Sequence, residues 1–211
     1  MNFINIKLEE YSIENSMKIP DYLLNLEKET NLTQIMPQML SGRLQGRLLS
    51  ILSKMISPKN ILEIGTFTGY SALCLAEGLK ENGKLITIEY DKELKEIIEK
   101  YVNVSKYKSQ IELILGDALV ILPQLKETFD LVFLDAHKPD YLNYYKTLIP
   151  KMNSGGIILA DNVLWSGKVI DDLGDKTAKA IDDFNKFVKD DPETENVILP
   201  IRDGISIIRK L

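Results

Sequence analysis

The 211-residue sequence has little of the chemistry on which several classes of protein depend, with one cysteine, one histidine and one tryptophan. The lone thiol, Cys74, excludes an intramolecular disulfide framework and indicates a reducing compartment such as the cytoplasm. Zinc sites are built mainly from Cys and His side chains, and this chain has too few of either. We expect Cys74 to fill the core rather than to act as a nucleophile.

Long apolar runs and basic blocks are also missing. No stretch approaches the ~20 apolar residues of a membrane span, and the N-terminal residues do not resemble a secretion signal. The formal net charge is -5, whereas a nucleic-acid surface normally needs a basic stripe. We therefore expect a cytoplasmic protein that binds neither membrane nor nucleic acid.

Short apolar runs alternate with amphipathic stretches from residue 58 onward. The pattern predicts strands over 60–64, 85–89, 111–115, 129–135 and 156–161, alternating with helices over 70–81, 91–105, 117–125, 140–151 and 175–190. Such alternation is typical of a parallel α/β sheet with helices on both faces. Two final runs, 197–201 and 205–209, leave no room for a helix between them and predict an antiparallel hairpin.

The residues before this alternation read as helical. Pro20 begins a predicted helix that ends near Thr30, and a second runs from about Ser41 to Pro58. With no linker or repeat, residues 1–211 are predicted to form one domain, with a helical cap (1–57) on an α/β core (58–211). A mostly parallel seven-stranded sheet that ends in an antiparallel hairpin is the Rossmann-like arrangement of class I methyltransferases.

The segment ILEIGTFTGYSAL (61–73) joins the first strand to its helix, where open α/β sheets bind ligands. Gly65 and Gly69 allow a tight turn and a close backbone approach. Phe67 stands where G-x-G-x-x-G would place its second glycine against a pyrophosphate, which argues against NAD and FAD. S-adenosylmethionine has no phosphate and meets no such objection. The alternative is that the two glycines form only a turn.

Three acidic residues match the parts of such a nucleoside cofactor. Glu63 ends the first strand and can meet the cationic amine of the methionyl group. Glu89 ends the second strand and can accept hydrogen bonds from ribose hydroxyls. Asp117 begins the helix after the third strand, beside the expected position of the adenine.

Polar residues follow the fourth and fifth strands, and parallel strands bring such ends to one edge of the sheet. Asp135, Asp161 and Asn162 form an all-oxygen set that suits Mg²⁺, with Mn²⁺ and Ca²⁺ as alternatives. The alternative is that Asp161 and Asn162 only form a turn. Lys138, beside such a cation, would lose preference for its ammonium form and serve as general base. His137, the sole histidine, is predicted to turn away from the site.

At these residues the sequence resembles the cation-dependent O-methyltransferases, the family of caffeoyl-CoA and catechol O-methyltransferases, and above all its short bacterial members. The segments that carry the resemblance are MLSGRLQG (39–46), EIGTFTGYSAL (63–73), FLDAHK (133–138), ADNVLWSGKV (160–169) and RDGISIIRK (202–210). Bacterial members often have an acidic residue where His137 stands, which puts acceptor preference and pH optimum in doubt but not the reaction type.

The resemblance implies a role for each matching residue. Those implied to bind S-adenosylmethionine are Met39, Ser41, Glu63, Gly65, Phe67, Ser71, Glu89, Asp117, Ala118 and Asp135. Asp135, Asp161 and Asn162 would ligate the cation, and Lys138 would act as base with Asp135 beside it. Trp165, with Lys138, would contact the acceptor, although Trp165 alternatively only packs against the sheet. The family also implies a homodimer.

The expected reaction is methylation of one hydroxyl of a vicinal aromatic diol, aided by a divalent cation. A nicotinamide oxidoreductase is disfavoured by Phe67 and the terminal hairpin. A non-catalytic S-adenosylmethionine-binding protein would not need Lys138 or the acidic set. A methyltransferase for a different acceptor stays open, and an RNA acceptor is disfavoured by the acidic charge.

Overall fold

In the computed structural model, which describes residues 6–171 and 174–211, seven strands form one mixed sheet. In chain order they are β1 (Asn60–Ile64), β2 (Lys84–Glu89), β3 (Ile111–Leu115), β4 (Phe129–Leu134), β5 (Met152–Asp161), β6 (Thr194–Leu199) and β7 (Ile205–Lys210). Their spatial order is β3-β2-β1-β4-β5-β7-β6. Strands β1 to β5 are parallel, and β7 is antiparallel to both neighbours. The strand order reverses between β1 and β4, where open α/β sheets bind ligands.

Helices cover both faces of this sheet. The described helices are α1 (Ile6–Glu14), α2 (Asp21–Thr33), α3 (Gly42–Ile56), α4 (Tyr70–Ala76), α5 (Lys95–Val104), α6 (Ala118–Ile121), α7 (Tyr141–Leu148), α8 (Lys168–Asp171) and α9 (Lys176–Asp190). None of these described helices has the length and apolar character to span a membrane. The predicted fold class, a mostly parallel sheet with a terminal hairpin and helices on both sides, is confirmed.

Two apolar layers, one on each face of the sheet, form the core. Alternate residues of β1 show the division: Ile61 packs with residues of α2 to α5, whereas Leu62 and Ile64 pack with residues of α7 and α9. A strand buried on both faces has this period of two. Glu63 lies two residues after Ile61 and therefore on the same face of β1, so its carboxylate is buried at the face that α2 to α5 cover.

Some predicted boundaries were wrong. The predicted helix over 70–81 ends at Ala76, just before the backbone at Gly78 packs directly on α3; a Cβ there would lie 2.2 Å from the carbonyl carbon of Ser53. The strand predicted over 197–201 lies over 194–199 instead. Pro200 explains this shift, because a proline cannot donate a ladder hydrogen bond.

Candidate functional site

The carboxyl ends of β1 and β4 lie so close together that the residue after β1, Gly65, has no room for a side chain. The Asp135 amide donates to the Ile64 carbonyl at 2.9 Å. Gly65 has φ +96°, and a Cβ on it would lie 2.0 Å from the carbonyl oxygen of Asp135. The close approach predicted for Gly65 is therefore a contact with the backbone that follows β4. This contact brings the loop after β1 next to Asp135.

Glu63 is a fully buried carboxylate with one oxygen unsatisfied. Its Oε2 accepts a hydrogen bond of 2.5 Å from Thr87, and Ser71 also bonds to the carboxylate. Within the described residues, its Oε1 has no hydrogen-bond partner. Burial raises the pKa of Glu63 to about 8, and the nearby charges of Asp135 and Glu89 add to that rise. A buried carboxylate with a free oxygen fits a ligand that carries a cation.

Glu89, at the end of β2, is held rigidly by backbone amides. Its Oε2 accepts from the Phe67 amide at 2.7 Å, and its Oε1 accepts from the Asp91 amide at 2.8 Å. Phe67 adopts φ +49°, which points its amide at this carboxylate. Burial raises the pKa of Glu89. The amides of Tyr90 and Thr66 also contribute hydrogen bonds to this carboxylate, so the surrounding backbone fixes its orientation.

Of the other residues predicted to bind the cofactor, Asp117 and Met39 are exposed, whereas Ala118 and Ser41 are buried. Asp117 is exposed, and its Oδ1 accepts from the Leu119 amide at 2.8 Å, so it caps α6 as well as preceding the buried Ala118. Met39 lies in a short 3-10 turn before α3 and is 57% exposed. Ser41 is buried at the start of that helix. The Ser41 carbonyl accepts a hydrogen bond from Arg202, which lies between β6 and β7.

Lys138 and Asp135 form an ion pair at the carboxyl edge of the sheet. Lys138 is 9% exposed, and its Nζ donates to Asp135 Oδ1 at 2.6 Å and to the Tyr141 hydroxyl at 2.8 Å. The Tyr141 hydroxyl in turn lies 3.0 Å from the Leu134 carbonyl and 2.9 Å from the Asp161 carbonyl. Tyr141 thereby ties Lys138 to the ends of both β4 and β5.

Asp161 is almost fully buried, and both of its oxygens are engaged. Oδ1 accepts from the Asn162 amide at 2.8 Å, and Oδ2 accepts from Gln45 Nε2 at 2.5 Å. Burial and then the negative charge of Asp135 raise the pKa of Asp161 to about 6. The two carboxylates are therefore near enough to repel each other, and a cation between them would relieve that repulsion.

The described residues contain no cluster of three or more His, Cys, Asp or Glu side chains suited to a metal ion. A cation at this edge would therefore need the Asn162 amide oxygen as well as the two carboxylates. Asn162 has φ +58°, a left-handed conformation that asparagine tolerates better than most residues. Two carboxylates and one amide oxygen fit a hard divalent cation.

His137 and Trp165 lie outside this cluster of contacts. His137 is exposed, and its Nδ1 is 2.8 Å from Asp140 Oδ2. Trp165 is half-buried and packs against the core layer that includes α7 and α9. The Trp165 amide donates to the Asn162 carbonyl at 3.3 Å, so the two residues belong to one turn after β5.

Three side chains in these contacts were missed from the sequence: Tyr141, Gln45 and Arg202. Tyr141 follows Lys138 by three residues, the spacing that brings side chains together in a helix, so it was within reach of a pattern argument. Gln45 lies 116 positions before Asp161. No local pattern relates two residues so far apart.

Comparisons with known proteins identify the family of the chain. A model of a family described as O-methyltransferase matches residues 13–211. Caffeoyl-CoA O-methyltransferase 2 of Populus trichocarpa is 37% identical over 180 residues, covering 79% of this chain and 73% of that protein. Catechol O-methyltransferase of Niastella koreensis is 38% identical over 156 residues, covering 72% and 70%.

Solved structures show the same fold. The O-methyltransferase from Bacillus cereus in complex with SAH (S-adenosylhomocysteine) has a TM-score of 0.90 and 26% identity, with 97% of each chain covered. The O-methyltransferase TomG from Streptomyces achromogenes, in complex with SAM (S-adenosylmethionine), has a TM-score of 0.89 and 27% identity, covering 97% of this chain and 96% of that one.

Proposed function

The chain belongs to the O-methyltransferase family, and we propose that this S-adenosylmethionine-dependent enzyme methylates one hydroxyl of a catechol-like small molecule with the aid of a divalent cation. The observation that carries the proposal is the ion pair of the buried Lys138 and the partly buried Asp135, 2.6 Å apart, at the same sheet edge as the buried Asp161. A base and an acidic oxygen set are what activation of a vicinal diol requires.

Glu63 supports the assignment of the methyl donor. Its buried Oε1 has no partner among the described residues, and the methionyl ammonium is a cation that would satisfy it. We propose that Glu63 and Ser71 hold this amino-acid part, and that Gly65 and Phe67 form the loop beside it. Glu89 would then bind the ribose, while Asp117 and Ala118 border the adenine and Met39 and Ser41 cover the sulfonium end.

The oxygen ligands support the assignment of a cation. Asp135, Asp161 and Asn162 would hold it, with Mg²⁺ preferred and Mn²⁺ or Ca²⁺ as alternatives. A bound divalent cation supplies Lewis acidity and a template for the two oxygens of a vicinal diol. Gln45 keeps Asp161 in place through its bond of 2.5 Å.

The proposed step is a single displacement. After the Lys138 ammonium has released a proton to solvent, its neutral Nζ accepts the proton of the acceptor hydroxyl, and the resulting oxygen forms a bond to the methyl carbon as the carbon–sulfur bond breaks. The products are the methyl ether and S-adenosylhomocysteine. Asp135 and Tyr141 hold Nζ in position, so orientation and charge placement provide most of the acceleration. Trp165 is proposed to form one wall of the acceptor pocket. The family resemblance predicts a homodimer, and the sequence composition predicts a cytoplasmic location.

Replacing the base tests this assignment. Lys138→Gln should lower kcat for methylation of a simple catechol by at least about 100-fold, while isothermal titration shows SAH affinity within about threefold of wild type. Lys146→Gln is the matched control, because Lys146 is an exposed lysine of α7. Equal turnover by the Lys138 and Lys146 variants would show that Lys138 is not the base.

A further inference from the structure

The turn between β6 and β7 reaches across the carboxyl edge and holds the segment that precedes α3. Arg202 Nη1 donates to the Leu40 carbonyl at 3.1 Å and to the Ser41 carbonyl, and Nη2 lies 3.5 Å from the Gln38 carbonyl. A single guanidinium thus engages three backbone acceptors of residues 38–41. Its planar fork of donors suits such a set, and a lysine ammonium would not match it.

The same guanidinium is connected to Asp161 through one amide. Arg202 Nη1 donates to Gln45 Oε1 at 3.1 Å, and Gln45 Nε2 donates to Asp161 Oδ2 at 2.5 Å. Gln45 has no exposed surface. Its amide orientation is fixed chemically, because the oxygen must face the cationic donor and the nitrogen must face the carboxylate.

Residues 38–41 have little apolar anchorage of their own. Leu40 is buried, but the neighbouring Met36 and Met39 are 51% and 57% exposed, and Ile35 is 96% exposed. The Ser41 side chain makes no capping hydrogen bond to α3. Leu40 is thus the apolar anchor of this segment, and the hydrogen bonds from Arg202 connect the same segment to the β6–β7 turn.

Arg202 itself is held in a conformation that an unconstrained arginine avoids. Its φ is +51°, in the left-handed region. Such a conformation persists only where surrounding contacts determine it, and it is commonest at ligand clamps and active sites. Here the hairpin turn determines it, because Arg202 lies inside the turn that the Gly204 amide closes by donating to the Ile201 carbonyl at 2.9 Å.

We propose that Arg202 and Gln45 are positioning residues, in which Arg202 latches residues 38–41 to the β6–β7 turn and Gln45 extends the latch to Asp161. The inference rests on the proposed function, in which Met39 and Ser41 cover the methyl donor and Asp161 ligates the cation. Closure over the donor and orientation of a cation ligand then depend on one guanidinium.

Proteolysis and donor binding test the Arg202 half of the proposal. Chymotrypsin should cleave after Met39 or Leu40 about tenfold faster in Arg202→Met than in wild type, and SAH should bind about tenfold more weakly. Arg202→Lys should behave in nearly the same way, because it keeps the charge but not the fork. Arg209→Met, which removes an exposed arginine of β7 paired with Glu195, should match wild type.

Equal cleavage and equal SAH affinity in the Arg202 and Arg209 variants would overturn the latch. If Arg202→Met does not fold, the comparison of Arg202→Lys with wild type decides the same point. Neither readout requires turnover or a metal. A wild-type protein that binds SAH and methylates no catechol would therefore contradict the proposed acceptor while the latch is judged separately.

Metal binding tests the Gln45 half. In a Mn²⁺ titration followed by electron paramagnetic resonance, Gln45→Met should bind Mn²⁺ about tenfold more weakly than wild type. Gln124→Met, at an exposed glutamine next to α6, is the control and should bind normally. Unchanged affinity in Gln45→Met would overturn this half. A wild type that binds no Mn²⁺ would overturn both the cation of the proposed function and the role of Gln45 toward it.

Discussion

At the scale of single residues, Glu63 shows how burial prepares a group for a ligand. Its carboxylate lies under α4 with only two hydroxyl donors, from Ser71 and Thr87. Thr66 is 2.5 Å from the Thr87 hydroxyl, so the hydroxyls form a chain that ends at the carboxylate. The protein maintains a costly buried group whose remaining oxygen fits a cationic ligand.

The raised pKa of Glu63 predicts a pH-dependent stability. Between its ordinary value of 4.5 and about 8, the folded carboxyl keeps a proton that the unfolded chain has lost. The free energy of unfolding should therefore fall as pH rises through this window. The glutamine of Glu63→Gln does not titrate. Without ligand, the free energy of unfolding of this variant relative to wild type should therefore rise by on the order of a few kcal/mol between pH 5 and 8.

Urea unfolding at pH 5, 6.5 and 8 measures this difference. Glu112→Gln is the control, since Glu112 is an exposed carboxylate of β3 paired with Lys84. Parallel pH curves for wild type and Glu63→Gln would contradict the burial argument.

Tyr141 predicts a separate effect on catalysis. Burial keeps the pKa of its hydroxyl well above the ordinary value of 10, so the group stays neutral and can accept from Lys138. Tyr141→Phe should cost about 1–3 kcal/mol of unfolding free energy and lower kcat about tenfold, because Lys138 loses one of its two partners. The pH profile of kcat should shift in Tyr141→Phe and stay unchanged in Tyr144→Phe. An unaltered kcat and profile in Tyr141→Phe would show that the hydroxyl only supports packing.

At the scale of elements, the close contact between the ends of β1 and β4 depends on Gly65. Gly65 and Gly42 both have positive φ, but a Cβ would meet a backbone oxygen at Gly65 and nothing within 4 Å at Gly42. Comparing alanine at the two positions therefore separates the conformational cost from the steric cost.

Gly42→Ala should lose about 1–2 kcal/mol of unfolding free energy, from the left-handed conformation alone. Gly65→Ala should lose at least about 2 kcal/mol more, because the strand ends must move apart. Urea unfolding of the two variants measures the difference. Equal losses would mean that the ends of β1 and β4 move apart at no cost.

The elements also show how far the sequence predicts this fold. Strands 60–64 and 111–115 were predicted with the bounds that the structure has, because short apolar runs between helices are a strong local pattern. Helix α1 was missed, since it leaves Leu8 and Tyr11 exposed and presents no regular apolar face. The predicted end of β6 was wrong because the apolar run 197–201 was followed without regard to Pro200, which ends the strand.

The candidate site also contains both residues that the sequence predicts and residues that it does not. Asp135, Lys138 and Asp161 were predicted to lie near one another because parallel strands end at one edge. In the structure Lys138 pairs with Asp135, and Tyr141 connects Lys138 to the backbone carbonyl of Asp161. Gln45 and Arg202 come from distant parts of the chain, and only the folded structure brings them together. Residues that end adjacent strands are thus predictable from sequence, whereas those that support them across the fold are not.

At the scale of the whole molecule, the carboxyl edge is where the parts of the chain meet. The helices before β1 contribute Gln45, the central strands contribute the acidic residues, and the terminal hairpin contributes Arg202. We propose that residues 1–211 form one domain, with 1–57 as a helical cap on the α/β core, because the candidate site needs both. The same edge then combines donor binding, cation binding and the base.

The most direct test of this account is methyl transfer from S-adenosylmethionine to caffeic acid, followed by mass spectrometry with Mg²⁺ and with excess EDTA. The account predicts a singly methylated product with Mg²⁺, its loss in EDTA, and its return when Mg²⁺ is restored. Undiminished turnover in excess chelator would contradict the role assigned to Asp135, Asp161 and Asn162. A protein that binds the donor and forms no methylated catechol in either condition would contradict the proposed acceptor.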